Sequence, residues 1–442
     1  MMSQVTNQTR YDLNHKSMRA ALPVFLAAIL VRILIAPFTG HPYDLSIWIA
    51  TGRNVANLTS PYTLHPSLGY PPLWAYWCGV AYKLSQLIRP ANVFSYIFLI
   101  KLPIILGDIA LAWLIMIFSP QPNSNLIRQN NHHSLSALAR AKLFLFNPYT
   151  IMVGVAWSMM DNVVALLVVL VVIALRRGKY AWAGMLLGLS IALKLYPVLF
   201  LPVCLIYLIK KNRTEQTLRF LAGIAAVFLV VIFPFLIFRW DLGSLLIVLI
   251  AQVARSPGGV APIGILSFLP AIGVTQIGPF SVSNIYNSIP VRLLWLPGVA
   301  GCLLFLYFRG RFSKMSDVLD SLLLTFAIYM LLTPWLSEQS VETLLVLMLF
   351  SGISKGFKLR EYTAYFLGSI IVLIFIALHV PLTSFVYPIV AIDSAPFLRF
   401  GAPFLPWLAA LFGAYCLYVA GTLIRGMNRP FRGAKTGGGS GC

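Results

Sequence analysis

Residues 161–211 read DNVVALLVVLVVIALRRGKYAWAGMLLGLSIALKLYPVLFLPVCLIYLIKK, and this stretch decides the class of fold. An apolar run follows Asp161 and stops at Arg176-Arg177-Gly178-Lys179. A second ends in the turn Lys194-Leu195-Tyr196-Pro197, and a third stops at Lys210-Lys211. Apolar runs punctuated by short basic clusters mark a chain threading a bilayer, because Lys and Arg collect in loops on the cytoplasmic side. The whole chain follows this plan. Of its 442 residues, 59% are hydrophobic and 10% charged, whereas soluble domains carry roughly 25% charged residues. The 33 Lys and Arg against 12 Asp and Glu give a net charge of +21. In a soluble chain that excess would suggest nucleic acid. In a membrane chain it sets topology, and no nucleic-acid partner is expected.

Further clusters lie at Arg10, Lys16 and Arg19; at Arg128, Arg140 and Lys142; at Arg309, Arg311 and Lys314; at Lys355, Lys358 and Arg360; and at Arg425, Arg429, Arg432 and Lys435. Placing every cluster in the cytoplasm predicts an all-α polytopic protein of about twelve spans with both termini cytoplasmic. The spans are about 20–38, 92–118, 143–158, 161–175, 181–194, 197–210, 219–238, 292–308, 318–334, 340–354, 362–380 and 402–424. Several, such as 161–175 and 197–210, are shorter than the ~20 residues that cross hydrocarbon. Short spans that meet at the external face predict a cavity there, where irregular backbone is solvated. Residues 1–210 form one module, 211–425 a second, and 426–442 a cytoplasmic tail whose TGGGSGC ending reads as linker. The first apolar run is long enough to span and is followed by no small-residue cleavage site, so no cleavable signal peptide is expected. Five widely spaced cysteines give neither a disulfide framework nor a metal-ligand spacing.

The long external segments are 39–91, 239–291 and 381–401. The first holds an amphipathic helix, Asp44 to Leu58, with Leu45, Trp48, Ile49 and Val55 on one face, expected to lie in the membrane interface. The second is rich in Gly and Pro over 256–273 and reads as irregular loop suited to a lipid tail.

Acidic residues are the rarest, and in or beside a membrane each needs a reason. Asp12, Glu215, Asp317, Asp320 and Glu361 fall among cytoplasmic basic residues as solvated loop charges. Asp44, Asp161, Asp241, Glu338, Glu342 and Asp393 collect externally, and Asp108 alone lies deep in a span. Asp44 and Asp161 each follow a turn and could cap a helix; together on one rim they could activate a hydroxyl or bind a metal or an amine. Lys194, at the external end of a short hairpin, could snorkel or meet a phosphate. His41, Arg53, His65, His379 and Arg399 are further external polar groups.

These residues resemble a known family. The order Asp44, Arg53-Asn54-Val55, Ser60-Pro61-Tyr62 and Tyr70-Pro71-Pro72-Leu73, then Phe146-Asn147-Pro148 with Asp161, then Ala192-Leu193-Lys194-Leu195-Tyr196-Pro197, resembles GT-C membrane glycosyltransferases. The group is that of the GPI mannosyltransferase I family and glycosyltransferase family 87, and the likeness is best over residues 20–210. The resemblance implies a polyprenyl- or dolichyl-phosphate sugar donor, mannose by family, a lipid or glycan acceptor on the external or lumenal face, and inversion from a β-linked donor to an α-linked product. It implies Asp44 as general base, Asp161 as second acid, and Lys194 with Arg53 and Tyr196 toward the donor phosphate and lipid. Tyr70, Glu338 and Arg399 would position the acceptor or loops. The resemblance fixes no cofactor, a divalent cation stays open, and a small accessory subunit is an open partner. The chain departs from the family pattern with one acid at His41-Pro42-Tyr43-Asp44, and with Thr333-Pro334-Trp335-Leu336-Ser337-Glu338-Gln339-Ser340 in the later segment. The membrane would be the endoplasmic reticulum in a eukaryote and the plasma membrane in a prokaryote; the sequon Asn57-Leu58-Thr59 does not decide it. A transporter or flippase using Asp108, and a non-catalytic subunit of a glycosylation complex, are the competing functions.

Overall fold

The computed structural model describes residues 15–63, 68–88, 93–118, 136–253, 288–310, 312–334, 336–354, 359–380, 385–386 and 399–428, with positions 263, 272, 274, 276–277, 279–281 and 284–285 between them. Helix α1 (His15–Ile35) continues in a 3-10 turn, Ala36–Phe38. It is followed by α2 (Pro42–Ala56), α3 (Pro72–Ile88), α4 (Val93–Phe118) and α5 (Ala137–Leu145). A π-helical turn, Ile151–Ala156, leads to α6 (Asp161–Arg176), α7 (Tyr180–Leu193), α8 (Phe200–Lys210) and α9 (Thr214–Ile237). Then come α10 (Leu242–Val253), α11 (Trp295–Arg309), α12 (Met315–Leu332), α13 (Val341–Ser354), α14 (Leu359–His379) and α15 (Leu405–Met427). Among the described residues the strands are one small hairpin, Gln276–Ile277 with Phe280–Ser281.

Among the described residues, six helices are long and apolar enough to cross a membrane, and the bent pair Pro148–Ala156 with Asp161–Arg176 adds a seventh if it is one span. Further apolar helices, among them Tyr180–Leu193 and Trp295–Arg309, are shorter. The chain is a multi-pass membrane protein. Helix α1 shows why: Leu22, Leu26, Leu30 and Leu34 form an exposed stripe at fourfold spacing, while Ala21, Ala28 and Arg32 are buried. A helix whose outward face is its most apolar one is facing lipid. Inside, small residues let helices approach. A Cβ at Gly184 of α7 would collide with the Phe220 carbonyl of α9, and one at Gly223 with the Ala181 carbonyl. Gly184 and Gly188 thus make the small-xxx-small seam on which α9 packs.

Four expectations change. The run 143–158 is not one span, because Pro148 breaks it after α5 and Asn147 accepts the Tyr149 N–H through its side chain. The first external segment contains a second helix, α3, whose Trp74 and Cys78 are buried. The apolar face of α2 is covered by protein rather than turned to the interface: Trp48 meets Trp74 edge-on at 5.7 Å, and the Tyr96 hydroxyl donates to the Trp48 carbonyl at 2.7 Å. The segment 239–291 begins with α10 (Leu242–Val253), since 245–251 is an uninterrupted apolar run ahead of the Gly- and Pro-rich stretch. Most of 256–273, together with Asp12, His65, Arg128, Trp335, Asp393 and the 429–442 tail, lies outside the described residues.

Candidate active site

Two buried charges, Asp161 and Lys194, anchor one network. Asp161 is the first residue of α6 and is fully buried, and Lys194, in extended backbone just past α7, is 4% exposed. Lys194 Nζ donates to Asp161 Oδ2 at 2.6 Å. Such a charge-assisted bond is short and about twice as strong as a neutral one. The Tyr196 hydroxyl donates to Asp161 Oδ1 at 3.2 Å and lies 2.6 Å from Thr343 Oγ1 of α13. Pro197 sets the 3-10 turn, Tyr196–Leu199, that aims this phenol inward. The Tyr70 ring lies 5.2 Å from Lys194 Nζ, within cation–π range. Tyr62 fixes Tyr70 by donating to its carbonyl at 2.9 Å; burial, and then Tyr76, push the Tyr62 phenol up, so it remains a donor.

Lys194, Tyr196 and Tyr70 line a cavity of about 130 Å³. Arg292, Gln252, Ser337 and Ser340 add polar groups to its wall, and Trp295 and Tyr329 add aromatic ones. A cation, amides and hydroxyls beside aromatic faces can hold a phosphate and a sugar.

Asp44 lies on a separate rim, outside the residues that line the cavity. It lies in the first turn of α2, where a negative charge suits the helix dipole, yet no side-chain cap forms there. Its Oδ2 instead accepts the Trp157 indole N–H at 2.8 Å and lies 3.0 Å from His41 Nδ1. His41 stacks on Trp157 at 4.9 Å, and Phe385 tilts against both rings. The carboxylate remains 14% exposed. Trp157 and Asp161 bracket one tight turn, in which Ser158 holds φ at 78° and the helix axis bends by 109°. The two acids are therefore joined through four residues of irregular backbone, 157–160. Neither works as a helix cap.

Behind this rim, Asp108 of α4 pairs with Arg32 of α1 at 2.7 Å, both fully buried. Asn162, next to Asp161, donates to Asp108 at 2.8 Å. Lys101 closes the end of α1 by donating to the Ala36 carbonyl at 2.7 Å. Asp108 is thus held in a structural pair.

The structure brings Asp161, Lys194, Tyr196 and Tyr70 together, and links Asp44 to them only through Trp157 and the turn that follows it. Glu338 is buried in the 3-10 turn Glu338–Ser340, where its carbonyl accepts from the Tyr149 hydroxyl at 2.7 Å; its neighbours Ser337 and Ser340, rather than its own side chain, face the cavity. Arg53 and Arg399 are exposed and absent from the cavity wall. Among the described residues, no group of three His, Cys, Asp or Glu side chains is placed to hold a metal; only His41 accompanies Asp44. Arg292, Gln252, Thr343 and Trp157 were not singled out by the sequence.

The family model described as GPI transamidase subunit PIG-U matches residues 56–246, less than half the chain. GPI mannosyltransferase 1 of Saccharomyces cerevisiae is 28% identical over 136 residues, which is 30% of this chain. That match spans about a third of the relative, 31% of its length. The resemblance to the GPI mannosyltransferase family is borne out by this match. The crystal structure of ArnT from Cupriavidus metallidurans bound to undecaprenyl phosphate superposes with a TM-score of 0.47 at 15% identity, covering 93% of this chain and 73% of that one.

Proposed function

We propose that the protein is a GT-C-type glycosyltransferase that moves a sugar, mannose by family likeness, from a polyprenyl- or dolichyl-phosphate donor to a lipid or glycan acceptor on the external or lumenal face. The observation that carries this reading is the buried Asp161–Lys194 pair opening onto a cavity walled by Tyr70, Tyr196 and Arg292. The donor's phosphate would meet Lys194 and Arg292, with its sugar against the aromatic wall. Asp44, partly exposed and oriented by Trp157, would take the acceptor hydroxyl proton as the oxygen attacks the anomeric carbon. The bond to phosphate breaks on the opposite face, so configuration inverts, and the lipid phosphate leaves as an anion stabilised by the two cations. Arg53 and Arg399, exposed and off the cavity wall, take no part in the step as drawn. The similarity to yeast GPI mannosyltransferase 1 supports the same reading.

The test is transfer from radiolabelled polyprenyl-phosphate-mannose by purified protein in lipid, with a membrane-lipid extract as acceptor, comparing wild type and Asp44→Asn. Loss of transfer in a folded variant supports the reading, and retention of configuration rejects its inverting step. A second reading has its own observation. The match to a GPI transamidase subunit begins at residue 56 and excludes Asp44. A non-catalytic subunit would transfer no sugar, and Asp44→Asn would leave its complex intact.

A further inference from the structure

Glu342 lies in the first turn of α13 and is 1% exposed, and neither of its carboxylate oxygens has a hydrogen-bond partner among the described residues. Helix α13 packs against α4, α6, α12 and α14. The ionisable groups facing Glu342 from those elements and their neighbours are Asp108, Asp161, Arg32 and Lys194, with the phenols of Tyr149, Tyr196 and Tyr365. Asp320 of α12 bonds Ser351 at the other end of α13. Four of these charges match in two pairs: Arg32 with Asp108 at 2.7 Å and Lys194 with Asp161 at 2.6 Å. Glu342 is the fifth member, with no cation of its own. Arg32 Nη2 is likewise buried without a partner, so it makes no bond to Glu342. A bare ionised carboxylate in such a place is far costlier than the neutral acid. Its neighbour Thr343 lies 2.6 Å from the Tyr196 hydroxyl and donates to the Asp161 carbonyl, so the backbone carrying Glu342 is tied to the pair that faces the cavity.

We propose that Glu342 is a positioning residue that works as a neutral acid: by keeping its proton it leaves the charge around Lys194 balanced, so that the Asp161–Lys194 pair can receive a lipid-linked phosphate. The inference rests on the donor reading above. An ionised Glu342 would add a second acid beside Asp161 and repel an anionic ligand. A neutral side chain of the same length would not.

Two measurements on the full chain in lipid nanodiscs test it: infrared spectroscopy, and binding of polyprenyl monophosphate. The wild type is expected to show a protonated carboxyl C=O stretch that is missing from Glu342→Gln, and its binding to weaken roughly tenfold when the pH is raised far enough to remove that stretch, a weakening the variant does not show. Glu342→Met carries the same two expectations if the Gln variant does not fold. An unchanged infrared band in a folded variant overturns the proposal, and so does the same pH dependence of binding in wild type and variant. A wild type that shows the band yet binds no polyprenyl phosphate leaves Glu342 neutral and overturns the donor reading, and with it the positioning role.

Discussion

Trp157 donates its indole N–H to Asp44 across 113 residues of chain, four positions before Asp161 pairs with Lys194. The indole fixes the carboxylate oxygen facing it and leaves the other for a substrate proton. Trp157→Phe keeps a ring against His41 and removes only that bond. Transfer by the variant is expected to fall roughly tenfold in kcat, the worth of one hydrogen bond to a charged group, with the folded fraction unchanged by size-exclusion chromatography. Asp44→Asn should lose about 10²–10⁴-fold, the range of a general base.

The Lys194–Asp161 pair can be separated from its chemistry. Lys194→Met leaves Asp161 buried without its cation and is expected to destabilise the protein by about 3–5 kcal/mol. Adding Asp161→Asn should restore most of the thermal stability in detergent. Transfer should remain absent in the double variant. Recovery of both would make the pair purely structural.

Arg32 and Asp108 make the opposite case. Asp108→Leu alone strands the buried Arg32 charge and should cost about 3–5 kcal/mol. The combined Arg32→Met and Asp108→Leu variant should fold and transfer sugar like the wild type. If Asp108 instead served ion-coupled transport, the combined variant would fold and yet be dead.

Ser158 holds a left-handed φ of 78°, which costs a non-glycine residue about 1–2 kcal/mol. Ser158→Gly is expected to raise the melting temperature or leave it unchanged, with transfer retained. Ser158→Val, branched at Cβ, should lower both.

At the α7–α9 seam, Gly184→Val is expected to abolish monodisperse protein, because its side chain would enter the Phe220 carbonyl. An intact size-exclusion profile for this variant would mean that α9 can move away without loss.

The class of fold and three of the central residues were legible from local signals. Asp161 and Lys194 stand out as charges at the ends of apolar runs, and Tyr196-Pro197 marks its own turn. Their partners were not, since Thr343 reaches Tyr196 from 147 residues away, and Arg292 and Gln252 reach the cavity from segments whose approach is set by tertiary packing. Arg32 carries a signal of its own in the sequence. A guanidinium inside a span needs an acid at the same depth, and Asp108 was the one acid placed there. Helix α3 was hidden differently: it opens on Pro72 within the Tyr70-Pro71-Pro72 turn, so a loop signal masked a helix start that proline favours.

The turn from Trp157 to Asp161 leaves the molecule without independent adjustment of its two acids. One backbone corner sets the orientation of Asp44 through an indole and the location of Asp161 directly, so a shift there is inherited by both. Loops on either side could be lengthened or exchanged with the two acids still in step. A lesion at the corner itself would misalign them together, and no change at one acid's remaining contacts could compensate for the other.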